Sequence, residues 1–468
     1  MNVVLLVSDS LRARNTSLLG YRRETTPFLE KLAKDSVVYR NAIAPSIWSL
    51  PSHASLFTGL YPQEHRVYTM NSRLQSSDTI WHSLGRRGYA TAVFSRNVFV
   101  TSDQYGLTDG VDHVDKECTR FEYPFAGLRP NEFDATGSAL SKEVAYALSS
   151  LRSRSTVGSL FNGISQYLSN RDAAPELLRR RQINPARDHV DRLLNWIDSV
   201  DSKWAACINF MSTHHDYEPI PEYNLWGLAD DIEAQTELGG QIWPFYSGML
   251  PWSKKEALVD LYDGTIRQVD QAVKYLYEQL DERDELEETV IVFTSDHGEG
   301  FGEYSQVRPD IRLAAHIMGI DDPLLHVPLL VHKPQSRSKL VDQPVSLTGI
   351  AEWIKEGHPE TDITDVLRET KAVAAADIGG LLKYDIDGDI REPEYDVDLS
   401  RFDGLAQAGY KHRDGKVVKH AVWGDAKLES PIEDEMEAMW SQFQDQGVSG
   451  IGTVDEETEQ RLANLGYL

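Results

Sequence analysis

Two segments far apart in the chain constrain the fold most. VLLVSDSLR carries Asp9 and VIVFTSDHGE carries Asp296 and His297, each just after a run of four or more apolar residues rich in Val, Ile and Leu. Such unbroken runs read as strands buried on both faces, the pattern of a parallel sheet covered by helices. In open α/β sheets, ligands bind in the crevice outside the carboxyl ends of the strands, so two carboxylates and an imidazole delivered there read as one metal site. Between these segments lies APSIWSLPSHASLFTGLYP. It reads as a loop entering a short helix, with Pro51 as a plausible first helical residue, an apolar stripe at Ala54, Leu56 and Phe57, and Gly59 as the stop. Ser49 before that proline is both a routine N-cap and, beside a divalent cation, a candidate nucleophile.

The surrounding pattern alternates. Strands are expected at Val3 to Val7, Val37 to Asn41, Ala90 to Phe94, Trp204 to Met211, Thr289 to Thr294 and Leu324 to His332. Helices are expected at Thr26 to Asp35, Thr79 to Arg87, Ala186 to Asp198 and Lys254 to Leu280. This rhythm predicts an α/β fold with a large, mostly parallel central sheet sandwiched by helices. Residues 115–190 lose it and read as a helical insertion over the sheet that governs substrate choice. Beyond residue 355 the texture turns to short strands and acid-rich turns, including the hairpin-like YKHRDGKVVKHAVW, and ends in the helix EETEQRLANLGYL. The expected division is therefore a catalytic domain over 1–355 and a small C-terminal α+β subdomain over 356–468.

The net charge of −26 opposes binding to nucleic acid or anionic membranes and reads as the solvated surface of a protein from a salt-rich cytoplasm. Cys118 and Cys207 are too few for a disulfide framework or a thiolate zinc site. With a core strand at the start, no basic leader and no apolar run long enough to span a bilayer, a cytoplasmic protein is expected.

An ordered series of segments resembles the sulfatase family, within the alkaline phosphatase-like superfamily. The series is VSDSLR, TTPFLEKLAKDSVVYRNAIAPS, SLPSHASLFTGLYPQEH, the GYATAVF strand, NFMSTHHDYEP, YDGTIRQVDQAV, VIVFTSDHGEGFGE and LLHVPLLVHKP. The LGYL ending is similar to family tails. The resemblance implies that Asp9, Asp296 and His297 bind one divalent metal ion, with Ser49 as nucleophile and as a further ligand. His214 matches the histidine that contacts the ester oxygens or leaving group, and His316 the Lys or His of similar purpose. Three departures stand out. Ser10 replaces the second aspartate of the first motif, His53 replaces the arginine that closes the nucleophile motif, and Arg96 is the one match for the lysine after the GYxTA strand.

The departure at His53 bears on chemistry. The family converts its Cys or Ser to formylglycine, and the maturation machinery reads the missing arginine; an unmodified Ser49 would instead form a covalent ester that water must cleave. His53 can take over part of the arginine's work as a weaker, pH-dependent cation. His214 and His316 would protonate the leaving oxygen. Two carboxylates and an imidazole suit calcium, manganese, magnesium or zinc alike. The leading expectation is a hydrolase of sulfate esters of small molecules or sugars. Its rivals are a phosphodiesterase, phosphonate hydrolase or phosphotransferase using unmodified Ser49, and a non-catalytic binder of anionic glycans. His65 reads as structural, and DIDGDIRE around Asp385 as a surface turn, because its glycine is misplaced for a calcium-binding loop.

Overall fold

The first apolar run becomes strand β1 (Asn2–Ser8), with every residue buried. Val3, Leu5 and Val7 join one continuous hydrophobic core, while Val4 and Leu6 are equally buried on the opposite face. A strand apolar on both sides needs cover on both sides, which is the physical reason for a helix–sheet–helix arrangement. In this computed structural model the description covers the chain apart from residues 119–120, 123–127, 129–141, 154, 170–180, 229–230, 233–234, 236–250, 317, 358–360, 369, 382–403, 453–457 and 459–468. The DIDGDIRE segment and the LGYL ending lie outside the described residues.

Besides β1, the central sheet contains β2 (Val37–Ile43), β3 (Ala90–Ser95), β4 (His113–Asp115), β5 (Trp204–Phe210), β6 (Thr289–Thr294), β7 (His326–His332), β8 (Lys339–Val341) and β9 (Val345–Ser346). Their order is β8-β2-β7-β6-β1-β5-β3-β4, with β9 also paired to β2. The pairs β6–β1, β1–β5, β5–β3 and β3–β4 are parallel. Strand β7 runs antiparallel to both β6 and β2, so two reversals leave β2 pointing the same way as β6. All strands of this sheet but β7 therefore point the same way, β2, β6, β1, β5 and β3 among them, and end at one edge of the sheet.

Two helices matter most for that edge. Helix α1 (Ser49–Thr58) follows β2, has every residue buried, and stops at Gly59, whose φ of 80° is the left-handed conformation that glycine adopts without strain. Helix α2 (Trp252–Glu282) supplies Tyr262, Asp263 and Asp270 to the loops after β1; Asp270 accepts the backbone N–H groups of Phe28 (3.0 Å) and Leu29 (3.0 Å) at the start of the helix Pro27–Leu32.

The C-terminal region forms a separate antiparallel sheet of β10 (Val373–Asp377), β11 (Leu405–Arg413), β12 (Lys416–Trp423) and β13 (Ala426–Leu428), in that order. The β11–β12 hairpin turns on Asp414 and Gly415, both at positive φ, the backbone that a two-residue turn between twisted strands needs. Strand β10 reaches the loop ahead of Ser49: Ala375 donates its N–H to Pro45 O (2.9 Å), and Ser46 Oγ donates to Ala375 O (2.8 Å).

One expected boundary changes. Leu324 and Leu325 sit in a helical turn, Asp322–Leu325, and the strand begins only at His326. Pro323 at the first turn favours that helix, and the apolar run conceals the break because both parts are buried. The segment Cys118–Asp188 separates as its own compact unit, with described helices Lys142–Arg152 and Thr156–Ser169. Among the described residues no helix is long and apolar enough to cross a membrane.

Because β1 is buried on both faces, Leu6→Ala is expected to cost about 2–5 kcal/mol in stability. Leu340→Ala on the edge strand β8, where the side chain is 50% exposed, should stay within about 0.5 kcal/mol. Urea denaturation of the two variants checks the contrast, and equal losses would contradict the central position of β1.

Candidate active site

The strand ends are stitched together before any ligand is considered. Asp9 donates its backbone N–H to Phe210 O at the end of β5 (2.9 Å), and Thr213 Oγ1 donates to Asp9 O (2.6 Å). Leu11 N–H donates to Ser295 Oγ (2.8 Å), whose own proton goes to His297 O (2.6 Å). From helix α2, the Tyr262 hydroxyl accepts the Arg12 N–H (2.9 Å) and donates to Ser10 O (2.8 Å). Ser10 is held at φ 63°, uncommon for a residue with a side chain, and from there its N–H points at Asp296 Oδ1 (3.3 Å) and its hydroxyl at Asp9 Oδ1 (3.0 Å).

Asp9, Ser49, Asp296 and His297 converge, all fully buried. Ligand atoms of Asp9, Asp296 and His297 lie within 4.8 Å of one another. Ser49 Oγ is 3.4 Å from Asp9 Oδ2 and 3.3 Å from His297 Nε2. Ser49 is the first residue of α1, and Trp48 is its cap. The serine is thus one residue further into the helix than a cap, and Pro51 is the third helical residue, not the first.

His53 is fully buried. Its Nδ1 donates to Ser49 O one helical turn back (2.9 Å) and stands 3.5 Å from Asp296 Oδ2. A place on the exposed surface of the helix is excluded because α1 has no exposed side. At the end of β3 it is Asn97, next to Arg96, whose amide nitrogen donates to Ser49 Oγ (3.0 Å) and Asp9 Oδ2 (2.8 Å), while its carbonyl caps the following turn through Phe99 N–H (3.0 Å). Asn209 adds a further donor to Asp9 Oδ2 (3.1 Å). The sequence reading missed both asparagines. Their available signal was a polar residue at the carboxyl end of a buried strand, the same signal that exposed Asp9.

A second cluster adjoins the first. His214 and His316 are buried, His215 is partly so, and their ring nitrogens come within 4.8 Å of one another. The His316 ring lies 4.7 Å from that of His297. Glu299, buried and also missed in the sequence, backs the cluster: its Oε2 accepts the Tyr217 hydroxyl (3.1 Å) and lies 3.5 Å from His316 Nδ1 and 3.9 Å from His215 Nδ1. His65 stands apart, bonded to Ser55 Oγ (3.0 Å) and accepting Val67 N–H (3.0 Å), with burial pulling its pKa down to about 3.

The electrostatics follow from burial and crowding. Burial opposes ionisation of Asp9, but His214, His297, His53 and the Asn209 amide outweigh it and hold its carboxyl well below the usual range. Asp296 is pushed up, first by burial and then by the charge of Asp9. Burial, and then the neighbouring imidazoles of His215 and His316, hold His214 far below an ordinary imidazole. His316 is lowered by burial against the pull of Glu299, whereas for His215 the Glu299 carboxylate wins.

The residues fit a divalent cation. His297 Nδ1 donates to Gly298 O (2.8 Å), so in the neutral ring Nε2 carries the lone pair, and that atom faces Asp296 Oδ2 (3.3 Å) and Asp9 Oδ1 (3.6 Å). Asp296 Oδ2 is buried and accepts no hydrogen bond. Lone pairs of one sign converging in a dry site need a cation between them. The same chemistry accepts calcium, manganese, magnesium or zinc.

Comparison with known proteins identifies the family. The family described as Sulfatase matches residues 1–354. Choline-sulfatase of Rhizobium meliloti is 25% identical over 294 residues, covering 59% of this chain and 53% of the relative. Human iduronate 2-sulfatase is 22% identical over 370 residues, covering 73% and 61%. The chain thus spans little more than half the length of these two curated relatives. Among solved structures, the phosphonate monoester hydrolase of Agrobacterium radiobacter superposes with a TM-score of 0.54 at 17% identity, over 93% of this chain and 90% of that one, a likeness of fold.

Replacing Asp296 by Asn is expected to weaken divalent-cation binding by more than the roughly 10- to 100-fold that loss of an outer-shell partner costs. In the presence of a chelator the same variant should melt at or above the wild-type temperature, because a buried like-charge repulsion with Asp9 is gone. Calorimetric titration and thermal melts check both. Undiminished binding with a less stable metal-free variant would remove the site.

Proposed function

The chain belongs to the sulfatase family, and from that premise we propose that it is a metal-dependent hydrolase of sulfate esters of small molecules or saccharides, with Ser49 as the nucleophile position. The observation that carries the reading is the company of the Ser49 hydroxyl: 3.4 Å from Asp9 Oδ2, 3.3 Å from His297 Nε2 and 3.0 Å from the Asn97 amide, in a fully buried site.

Each residue has a separate task. Asp9, Asp296 and His297 would hold a divalent cation, which when bound would supply Lewis-acid charge for the ester oxygens and lower the pKa of the nucleophile. Asn97 fixes Ser49 Oγ by donating to one of its lone pairs, which turns the hydroxyl proton towards Asp9 or His297 and leaves the other lone pair for attack on sulfur. Asn97 and Asn209 together hold Asp9 Oδ2, so the carboxylate stays oriented when its proton load changes. His53 anchors the first turn of α1 through the Ser49 carbonyl and touches Asp296, tying the nucleophile to the cation site. His214 and His316 would contact the leaving oxygen, and within that cluster His215, whose pKa the Glu299 carboxylate raises, is the imidazole best able to supply its proton.

A second reading rests on His53 and Ser10. With Ser49 unmodified, attack gives a sulfo- or phosphoserine, and the ester C–O oxygen departs with a proton. Water must then cleave the serine ester, because no aldehyde is available to expel the anion. That route suits phosphate and phosphonate esters better than sulfates.

Ser49→Ala is expected to cut turnover at least about a thousandfold while the fold and melting temperature persist. Near wild-type rates in the variant would remove Ser49 from the chemistry. To separate the two readings, aryl sulfate and aryl phosphodiester substrates are compared on protein whose Ser49 mass is known, since conversion to formylglycine lowers it by about two mass units. Sulfate should be preferred if the residue is converted and the diester if it is not. Fast multiple turnover of sulfate by unmodified serine would contradict this chemistry.

A further inference from the structure

We propose that Arg12, Arg14, Lys255 and Arg312 form a subsite for a second anionic group of the substrate, a sulfate or carboxylate remote from the ester that meets Ser49. The inference rests on the proposed reaction and narrows its substrates to compounds with at least two anionic groups, multiply charged saccharides among them.

The cluster grows out of the site itself. Arg12 follows Asp9 on the loop after β1, and its guanidinium donates to Glu299 O (3.2 Å) and to Glu303 Oε1 (2.9 Å). Just after Glu299 the chain forms a two-stranded ribbon, Gly300–Tyr304 against Arg312–Ala315, and His316 follows directly. One end of the ribbon therefore lies at the histidine cluster. The other end, where Tyr304 pairs with Arg312, is three or four residues away, about 10–13 Å at the rise of a strand. Arg14 Nη1 stands 3.6 Å from the same Glu303 Oε1, with its side chain 59% exposed. Arg312 donates to the Tyr304 hydroxyl (2.8 Å), its guanidinium 4.4 Å from the ring centroid. Lys255, near the start of helix α2, completes the group: burial lowers its pKa, Glu303 pulls it up, and Arg12, Arg312 and Arg14 push it down again.

At Arg14 the positive charge exceeds what Glu303 balances. Its pKa is lowered first by burial and then by Arg12, whose repulsion outweighs the attraction of Glu303. Arg12, only 4% exposed, keeps its Nε buried without an acceptor. In a chain of net charge −26, cations gathered with a buried donor unspent are a demand for an anion. Guanidinium forks suit sulfate and carboxylate, whose oxygens they meet in pairs.

The test is calorimetric binding of two rod-shaped probes to Ser49→Ala protein, which does not consume them. One is a biphenyl bearing a sulfate ester at one end and a sulfonate at the other, its charges a comparable distance apart; the second is the same ester without the sulfonate. The doubly charged probe is expected to bind at least about tenfold tighter, an advantage that shrinks with added salt and is lost when Arg14→Met and Arg312→Met are combined. Glu303→Gln is expected to widen it, because a competing carboxylate is gone; a merely structural role for these side chains would not. Equal affinity for the two probes, or an unchanged advantage in the double variant shown by circular dichroism to be folded, overturns the proposal. Hydrolysis of both esters by wild type is followed alongside: its absence counts against the reaction, while the affinity ratio still decides the subsite.

Discussion

The structure depends on two carboxylates that ought to repel each other. Asp9 and Asp296 are fully buried at the ends of adjacent parallel strands, and no arginine or lysine is bonded to either among the interactions described. Burying like charges side by side is costly unless something of opposite sign intervenes. The protein meets part of that cost with neutral donors, the amides of Asn97 and Asn209, the Ser10 hydroxyl and backbone N–H groups. The remainder is a demand for a cation, and it falls where the serine hydroxyl lies. Stability is given up at the place where function needs charge.

Such a site survives only if the backbone around it cannot relax. The strand register of β6, β1 and β5 fixes three of its segments, and the Tyr262, Ser295 and Thr213 hydroxyls lock the loops that follow. Gly298 shows how tight the fit is: a Cβ there would come 2.0 Å from Pro323 O. The C-terminal sheet contributes as well, because β10 clasps Pro45 and Ser46 just ahead of Ser49. Parts of the chain that carry no reacting group thus set the aim of those that do.

Two of the three departures from the family pattern, Ser10 and His53, act on the same few ångströms. Ser10 gives a hydrogen bond to Asp9 where an aspartate would add a third carboxylate, so the Asp9–Asp296–His297 cluster has less negative charge. His53 leaves beside Asp296 an imidazole instead of a permanent guanidinium, and its hydrogen bond runs to the serine's own carbonyl. Both changes reduce fixed charge around Ser49. The clustered histidines and Glu299 adjoin His297 and add further polar groups beside it.

Much of this was legible in the chain itself. The unbroken apolar runs ahead of Asp9 and Asp296 required strands buried on both faces, and the carboxyl ends of such strands required their acids to face one crevice, because parallel strands end together. The Asp-Gly turn and flanking alternation gave the β11–β12 hairpin. Other features depended on folding. That α1 is buried on every side, turning His53 inward, follows from the elements packed around it and not from its own ten residues. Asn97, Asn209 and Glu299 are ordinary polar residues in sequence and became part of the site only because β3, β5 and the loop after β6 bring them within hydrogen-bonding or ion-pair distance of Asp9, Ser49 and the histidines. Composition and periodicity determine which face is buried; which polar groups meet there is decided by strand order and register, contacts between residues hundreds of positions apart that no local pattern encodes.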